Sequence, residues 1–390
     1  MPVKVSAEDQ ISLYKKQAVT VDDYSTSSFI INIIKHLRKN MDLHRITLPA
    51  FILEPRSMLE KVTDFMSHPD ILLQASQTEH PLDRFMTVVK FYLSGWHNEP
   101  KNVKKPYNPI LGEQFKCKYK YDFNGKESDA LFVAEQVSHH PPISAYYYSN
   151  PENNIVMKGN ISPKSRFLGT CVGNFMEGDN CIMLKDETYT ITMPNMYVKG
   201  ILFGRMELEL GGQCYVDCKE TGFKCELEFK TKGFFAGERD VVVGNVIDTT
   251  TGQIVCSISG NWADKIYMTK EGVTSILFDA STAISHPKIV AEIKDQGPLE
   301  SRRVWSKVTD AIHRRDMDTA TDEKTVVEDN QRQERNQRAI EGKPFVCTYF
   351  DYSENKQIHE FKIPPSHTHK KNCDAKARII FVLSMVIRRY

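Results

Sequence analysis

Between residues 113 and 285 apolar and polar side chains alternate in one short run after another, and this period of two constrains the fold more than any other feature. Phe115, Cys117, Tyr119 and Tyr121 alternate with Lys116, Lys118 and Lys120. Met206, Leu208 and Leu210 alternate with Glu207 and Glu209, and Phe223, Cys225, Leu227 and Phe229 with Lys224, Glu226, Glu228 and Lys230. Successive side chains on a strand point to opposite faces, so each run predicts a strand buried on one side. Asn124-Gly125 predicts a two-residue hairpin turn, with ALFVAEQV as the returning strand. Glycines at 211–212, 233 and 237 break the runs. The set predicts one large antiparallel sheet, curled into a barrel.

Helical patterns flank this region. Residues 1–25 are polar and mixed and predict a flexible lead. Thr26-Ser27-Ser28 supplies N-cap chemistry before Phe29, Ile30, Ile33, Ile34, Leu37 and Met41, which recur at helical spacing with Lys35, Arg38 and Lys39 opposite. Such a helix either docks on a core or meets something both apolar and anionic, as a lid or membrane-surface element does. Pro55 is placed as an early residue of a helix carrying Met58, Leu59, Val62, Phe65 and Met66 on one stripe, and a further helix is predicted over 82–96. From about 298 the chain is charged, and ESRRVWSKVTDAI and the stretch from Thr321 to Lys343 read as helices. The apolar run Ile379 to Ile387 is too short to span a bilayer as a helix.

Composition narrows the function classes. The 390 residues carry 51 Lys plus Arg against 50 Asp plus Glu, a net charge of +1, so the basic excess that a duplex-DNA binder uses is missing and no nucleic-acid partner is expected. No run of 18 apolar residues and no signal-peptide pattern is present, and the nine cysteines lack CxxC spacing. The expectation is a cytoplasmic protein with reduced thiols, no cofactor and no metal. GxSxG, P-loop and HExxH patterns are missing, which argues against an enzyme.

Three segments are chemically unusual. KKPYNPILGEQF (104–115) pins Lys105 and Asn108 between prolines, fit either for a surface turn or for holding a cation and an amide in place. EQVSHHPP (135–142) sets His139 and His140 on a backbone that two prolines stiffen, outside any regular strand ladder. The pair could ligate a metal, as in a metal-dependent hydrolase, but only Glu135 is close in sequence; alternatively it donates hydrogen bonds to a phosphate. Lys324, Glu328 and Arg332 share one helical stripe, either as a solvated ion ladder or as part of an anion site.

EQVSHHPP resembles the signature of the oxysterol-binding-protein-related lipid-transfer family. KKPYNPILGE, LPAFILEPRS (48–57), ILFGRMELELGG (201–212), Gly260-Asn261-Trp262, ESRRVW (300–305) and the Lys324/Glu328/Arg332 helix resemble it too, in the right order, over roughly 28 to 345. The resemblance implies a mainly β fold with flanking helices: a large, near-closed antiparallel β-barrel around a lipid tunnel, with an N-terminal helical lid and a C-terminal helical layer. The lead would span 1–25, the lipid-binding domain 26–345 with its lid at about 26–47, and a tail 346–390. No flanking membrane-targeting domain or ankyrin repeat is recognisable, so a stand-alone lipid-binding domain is expected.

The resemblance also implies roles. His139 and His140 would bind the 4-phosphate of phosphatidylinositol 4-phosphate. Lys105 and Asn108 would contact its headgroup and phosphates. Lys324 and Arg332 would complete the cationic mouth, with Glu328 orienting the headgroup or its basic neighbours. A second lipid would exchange for it. LPAFILEPRS resembles the phosphatidylserine-carrying branch, with Leu48, Phe51, Ile52 and Leu53 near that ligand and Ser165 a candidate contact. Ala50 stands where that branch usually has Thr, and Thr170-Cys171 where it often has Asn-Ser. The expected activity is non-enzymatic exchange at anionic membranes, at endoplasmic-reticulum contact sites; a sterol carrier and a lipid sensor are the alternatives.

Overall fold

A computed structural model describes residues 52–98, 104–201, 206–232 and 237–362. The predicted lead, the 29–41 helix with its lid role, and the 379–387 run lie outside them. The described chain opens with strand β1 (Leu53–Ser57), a short helix α1 (Met58–Lys61), a 3-10 segment over Val62–Met66, and helices α2 (Pro69–Gln77) and α3 (Pro81–Ser94). The helix at 82–96 is therefore present as α3, slightly displaced, while α2 has no counterpart in the sequence reading. Pro55 is not helical. It lies within β1, which pairs in parallel with β2 (Lys105–Tyr107). Ser57 then caps α1, accepting from the Leu59 amide at 3.4 Å, so the helix starts where a side chain can satisfy its first amides. The expected apolar stripe survives: Leu59, Val62 and Met66 are buried, and Met58 and Phe65 pack beside them.

The alternating region forms β3 (Gln114–Phe123), β4 (Lys126–His139), β5 (Pro142–Asn150), β6 (Ile155–Phe167), β7 (Val172–Glu177), β8 (Asn180–Leu184) and β9 (Glu187–Ile191). It continues through β10 (Asn195–Lys199), β11 (Glu207–Cys218), β12 (Phe223–Lys230), β13 (Val241–Asp248), β14 (Ile254–Asn261), β15 (Lys265–Lys270) and β16 (Val273–Asp279). Among the described residues these make one 14-stranded sheet, with β3 and β16 at its edges. The pairing is antiparallel throughout, and β6 and β11 are joined twice, through β7–β10 and through β8–β9. Asn124 and Gly125 close the β3–β4 hairpin with φ of 55° and 73°, both left-handed, as this tight turn requires.

The sheet curls into a near-closed ring. The chain leaving β16 runs back along the β3 edge, where Lys118 and Ile289 exchange backbone bonds of 2.9 and 2.7 Å and the Gln114 amide donates to the Leu299 carbonyl at 2.8 Å. α3 and the 3-10 segment after it (Trp96–Asn98) pack against the inner face: Phe85 lies 5.8 Å from Phe223 and 6.0 Å from Tyr189, and Trp96 lies 5.9 Å from Phe229. The C-terminal layer follows as α4 (Ser301–Val304), α5 (Ser306–His313) and α6 (Met317–Glu341). It rests on a second core of Leu53, Tyr107, Trp305, Val308, Ala311 and Ala320. Among the described residues no helix is long and apolar enough to cross a membrane.

Two placements depart from the alternation. Lys116 is buried, because Glu300 from the closing segment meets its ammonium at 2.8 Å. The β4 stretch Ala130–Val137 is buried on both faces, because a hairpin of β17 (Phe350–Ser353) and β18 (Ile358–Phe361) covers its outer side. Phe361 stacks on Tyr147 at 4.3 Å. Residues 346–362, assigned in sequence to a tail, are thus packed on the barrel.

The closing segment is clamped by Glu60, which is 1% exposed and binds Lys288 at 3.0 Å and Arg302 through two bonds of 2.7 and 3.0 Å. Burial alone would raise the Glu60 pKa; the two cations more than offset this and hold it well below the usual carboxylate range. Its stabilising contribution is therefore complete above the unfolded carboxylate pKa, near 4.5, and is lost as pH falls below it. Glu60→Ala strands both cations and is expected to cost about 3 kcal/mol at neutral pH, less in acid, checked by urea unfolding of both proteins across pH.

Candidate functional site

The three unusual segments meet at one end of the ring. The loop after β2 is stitched to the base of the β4–β5 hairpin: the Gly112 amide donates to the Gln136 carbonyl at 2.9 Å, and the Gln136 amide to the Glu113 carbonyl at 2.9 Å. Gly112 has φ of +80°, and a Cβ there would lie 2.8 Å from the Phe345 ring, so the position requires glycine. The loop is tied to the C-terminal layer as well, because the Leu111 amide donates to Gln331 Oε1 on α6 at 2.6 Å.

One of the two histidines, His139, does enter the ladder, contrary to the sequence expectation. His139 is the last residue of β4 and pairs with Pro142, the first of β5, so His140 and Pro141 form the turn. A register irregularity between Gln136 and Ser138 lets the strand reach this turn. Gln136 fixes it, donating to the Ser138 carbonyl at 2.8 Å and accepting from Ser144 Oγ at 2.6 Å. The His139 and His140 rings stand 4.6 Å apart, His139 partly covered and His140 exposed. Asn108 Nδ2 lies 3.3 Å from His139 Nε2, so the pinned loop and the histidine hairpin touch through their functional groups.

On the other side of the loop, Lys105 faces α6. Burial lowers its pKa, Lys324 lowers it further, and Glu328 opposes them. Lys324 is 8% exposed and donates to Glu328 Oε1 at 2.6 Å. Two lysines and one carboxylate thus share a partly desolvated space, a net positive site that lacks one counter-charge. Arg332 is not part of this contact. It is exposed and pairs with Asp329 at 2.9 Å, donating also to the Glu328 carbonyl at 3.2 Å.

The second-lipid candidates are dispersed. Leu48 and Phe51 lie outside the described residues. Ile52 is half-buried, and Leu53 packs under the C-terminal helices rather than in the barrel core. Ser165, on β6, donates to Asn174 Oδ1 at 3.0 Å. A cavity of about 740 Å³ opens beside the β6–β7 turn, lined by Leu168, Cys171, Tyr197 and Phe229 with Lys199 and Lys230 at its polar side. Among the described residues no three His, Cys, Asp or Glu side chains gather as metal ligands would.

Sequence reasoning missed two site-building residues, Glu113 and Gln331, and weighed Glu135 only as a metal ligand. Glu135 is buried, and its two oxygens accept from the Thr348 and Tyr349 amides at 2.7 Å each, anchoring the strap that leads to β17. Glu113 and Gln331 are buried hydrogen-bond acceptors beside the loop. The glutamates lie within the motifs already singled out, and that was their only signal.

The oxysterol-binding protein family model matches residues 32–311, most of the chain. An oxysterol-binding protein homolog of Schizosaccharomyces pombe is 44% identical over 350 residues, spanning 86% of this chain and 73% of its own length. This chain belongs to the oxysterol-binding protein family. Oxysterol-binding protein homolog 7 of Saccharomyces cerevisiae is 41% identical over 358 residues, spanning 88% of this chain and 80% of its own. Human oxysterol-binding protein-related protein 8 is 38% identical over 343 residues, which cover 86% of this chain but 38% of that longer protein. Two solved family structures share the fold. The Osh1 ORD domain in complex with cholesterol has a TM-score of 0.72 at 24% identity, covering 89% of this chain and 87% of that one. The Saccharomyces cerevisiae Osh3 ORD in complex with PI(4)P has a TM-score of 0.69 at 20% identity, covering 89% and 92%. The chain is thus an oxysterol-binding family lipid-transfer domain.

Removing the Glu328 charge while keeping its shape isolates the electrostatics of this site. Glu328→Gln is expected to lower the Lys105 pKa further, since the one interaction that raises it is gone. An NMR titration of labelled lysine side chains reads this directly; an unchanged or raised Lys105 midpoint would contradict the arrangement.

Proposed function

We propose that this protein extracts phosphatidylinositol 4-phosphate from one membrane and exchanges it for a second lipid, phosphatidylserine, at another, without chemistry on either. The observation that carries the reading is the Asn108–His139 contact, with Lys105, on the strand that leads into the same loop, set beside Lys324. A phosphate monoester presents several acceptor oxygens and up to two charges, and the site offers imidazole, amide and ammonium donors from three segments. Lys105 and Lys324 would receive their missing counter-charge from the ligand. Arg332 would join by leaving Asp329, an exposed pair worth no more than about 1 kcal/mol.

Transfer needs more than headgroup binding. Each methylene moved from bilayer into water costs roughly 0.8 kcal/mol, so two acyl chains amount to about 20 kcal/mol or more. A closed sheet with an apolar inner face can replace the bilayer for those chains. Because two lipids compete for one protein, a gradient of one drives the other, and direction comes from mass action. The exchange would take place at anionic membranes, including contact sites of the endoplasmic reticulum. Phosphatidylserine as the second cargo rests on the resemblance of LPAFILEPRS to that branch of the family; a sterol is the alternative, since the Osh1 relatives of this fold hold cholesterol and ergosterol.

His139→Ala with His140→Ala is expected to abolish phosphatidylinositol 4-phosphate extraction from vesicles and to leave the second lipid partly bound. Equal loss of both ligands in a folded variant would contradict the assigned role. Native mass spectrometry of protein purified from its own cells names the second lipid, and a bound sterol there would replace phosphatidylserine. A protein that binds lipid without accelerating transfer between liposomes would be a sensor instead.

A further inference from the structure

Glu113 ends the KKPYNPILGE motif and is fully buried, yet no cation is among its hydrogen-bond partners. Its Oε1 accepts from Ser57 Oγ at 2.5 Å. Its Oε2 accepts from the Ile110 amide at 3.1 Å and from Trp305 Nε1 at 2.8 Å. These donors belong to the β1–α1 junction, to the pinned loop itself and to the start of the C-terminal layer. Its backbone carbonyl accepts from Gln136, at the base of the histidine hairpin. One residue therefore touches the pinned loop, the base of the histidine hairpin and the start of the C-terminal layer, while α6 is tied to the same loop through Leu111 and Gln331.

A buried carboxylate without a counter-ion is costly, and a well-packed apolar side chain would serve stability as well or better. Burial pushes its pKa up, and the donors around it oppose that shift. What a carboxylate offers that an apolar side chain cannot is direction: donors from three elements are held at fixed distances around one planar group. Trp305 extends this frame, since its ring stacks on Tyr107 at 4.6 Å while its N–H reaches Glu113. Tyr107 stands between Lys105 and Asn108, and its hydroxyl is 2.9 Å from Thr309 Oγ1 on α5.

We propose that Glu113 is a positioning residue for the anion site: through Ser57, Ile110 and Trp305 it sets where Lys105 and Asn108 stand relative to His139 and to α6. This rests on the phosphatidylinositol 4-phosphate reading above. Glu113 touches no ligand in this scheme; it fixes the loop that does. A charge-assisted hydrogen bond weakens steeply once its geometry is lost, so releasing the loop forfeits roughly one such bond, about 10- to 100-fold in binding.

The test uses the full chain and phosphatidylcholine vesicles doped with phosphatidylinositol 4-phosphate. Glu113→Ala is expected to reduce extraction about 10- to 100-fold and to shift the His139 imidazole nitrogen signals by NMR, because the Asn108 contact moves. Glu113→Gln is expected to restore both. Its oxygen can accept from Ile110 and Trp305 while its amide donates to a rotated Ser57 hydroxyl. A folded Glu113→Ala protein with wild-type extraction and unchanged His139 signals would overturn the proposal, and so would a Glu113→Gln protein as impaired as the alanine variant. Should Glu113→Ala fail to fold, Trp305→Phe and Ser57→Ala each remove one donor and are expected to give intermediate losses with the same NMR signature; no effect of either would overturn it equally. The His139/His140 double variant separates the two claims. If it extracts the lipid normally, the lipid reading fails; if it does not while Glu113→Ala does, only the role of Glu113 falls.

Discussion

The exchange of backbone bonds between Lys118 and Ile289 decides what this sheet can be. A 14-stranded antiparallel sheet has two edges, and each edge presents unpaired amides and carbonyls that seek a partner. Here the chain itself comes back along β3 after β16, and Gln114 continues the seam by donating to Leu299. That path has two consequences. The inner face closes around the helices before β2, giving one continuous apolar core, and the chain emerges beside the KPYNP loop with α4 to α6 still to be built. The C-terminal helix reaches the site because the ring is sealed from that side.

Charge is used in two different ways along this seam. Lys116 with Glu300 is a one-to-one buried pair, and in the Glu60 clamp the most buried charge is the carboxylate, which Lys288 and the more exposed Arg302 both meet; together they fasten the closing segment. The far end of the seam is not compensated in this way. Lys105 and Lys324 share Glu328, so one positive charge is left over in a space where burial already disfavours it. In these clamps every buried charge has an opposite partner in direct contact, because an unpaired buried charge destabilises the fold. A site that awaits an anion carries the imbalance instead, and the oxysterol-binding fold supplies the neutralising group from its ligand in the reading proposed here.

Much of this architecture was legible in the chain. Strand positions, the Asn124-Gly125 turn and the helices after 300 follow from period and turn chemistry, which are local. Pro55 was misplaced because its strand exists only through pairing with Lys105–Tyr107, some fifty residues later. The alternation around Lys116 misled for the same reason, since its cover comes from Glu300, and the cover on the outer side of β4 comes from the equally remote β17–β18 hairpin. At the site, Lys105, Asn108, His139 and Lys324 were marked by composition and resemblance, and the fold brings them into register. Arg332 shared the stripe of Lys324 in sequence, yet the helix turns it to Asp329.

By itself the sequence determined that the chain builds a curled antiparallel sheet flanked by helices, and that three segments carry donors suited to a phosphate. Periodicity and residue chemistry suffice for that, since a side chain carries its polarity and its preferred backbone wherever it goes. Only the tertiary structure decided which donors share one space. Trp305 lies 192 positions from Glu113 and Gln331 lies 220 from Leu111, and no local pattern encodes such a contact. These distances are set by how the ring closes and how its helices pack, because the energy that fixes them is gained only when segments remote in sequence exclude water together.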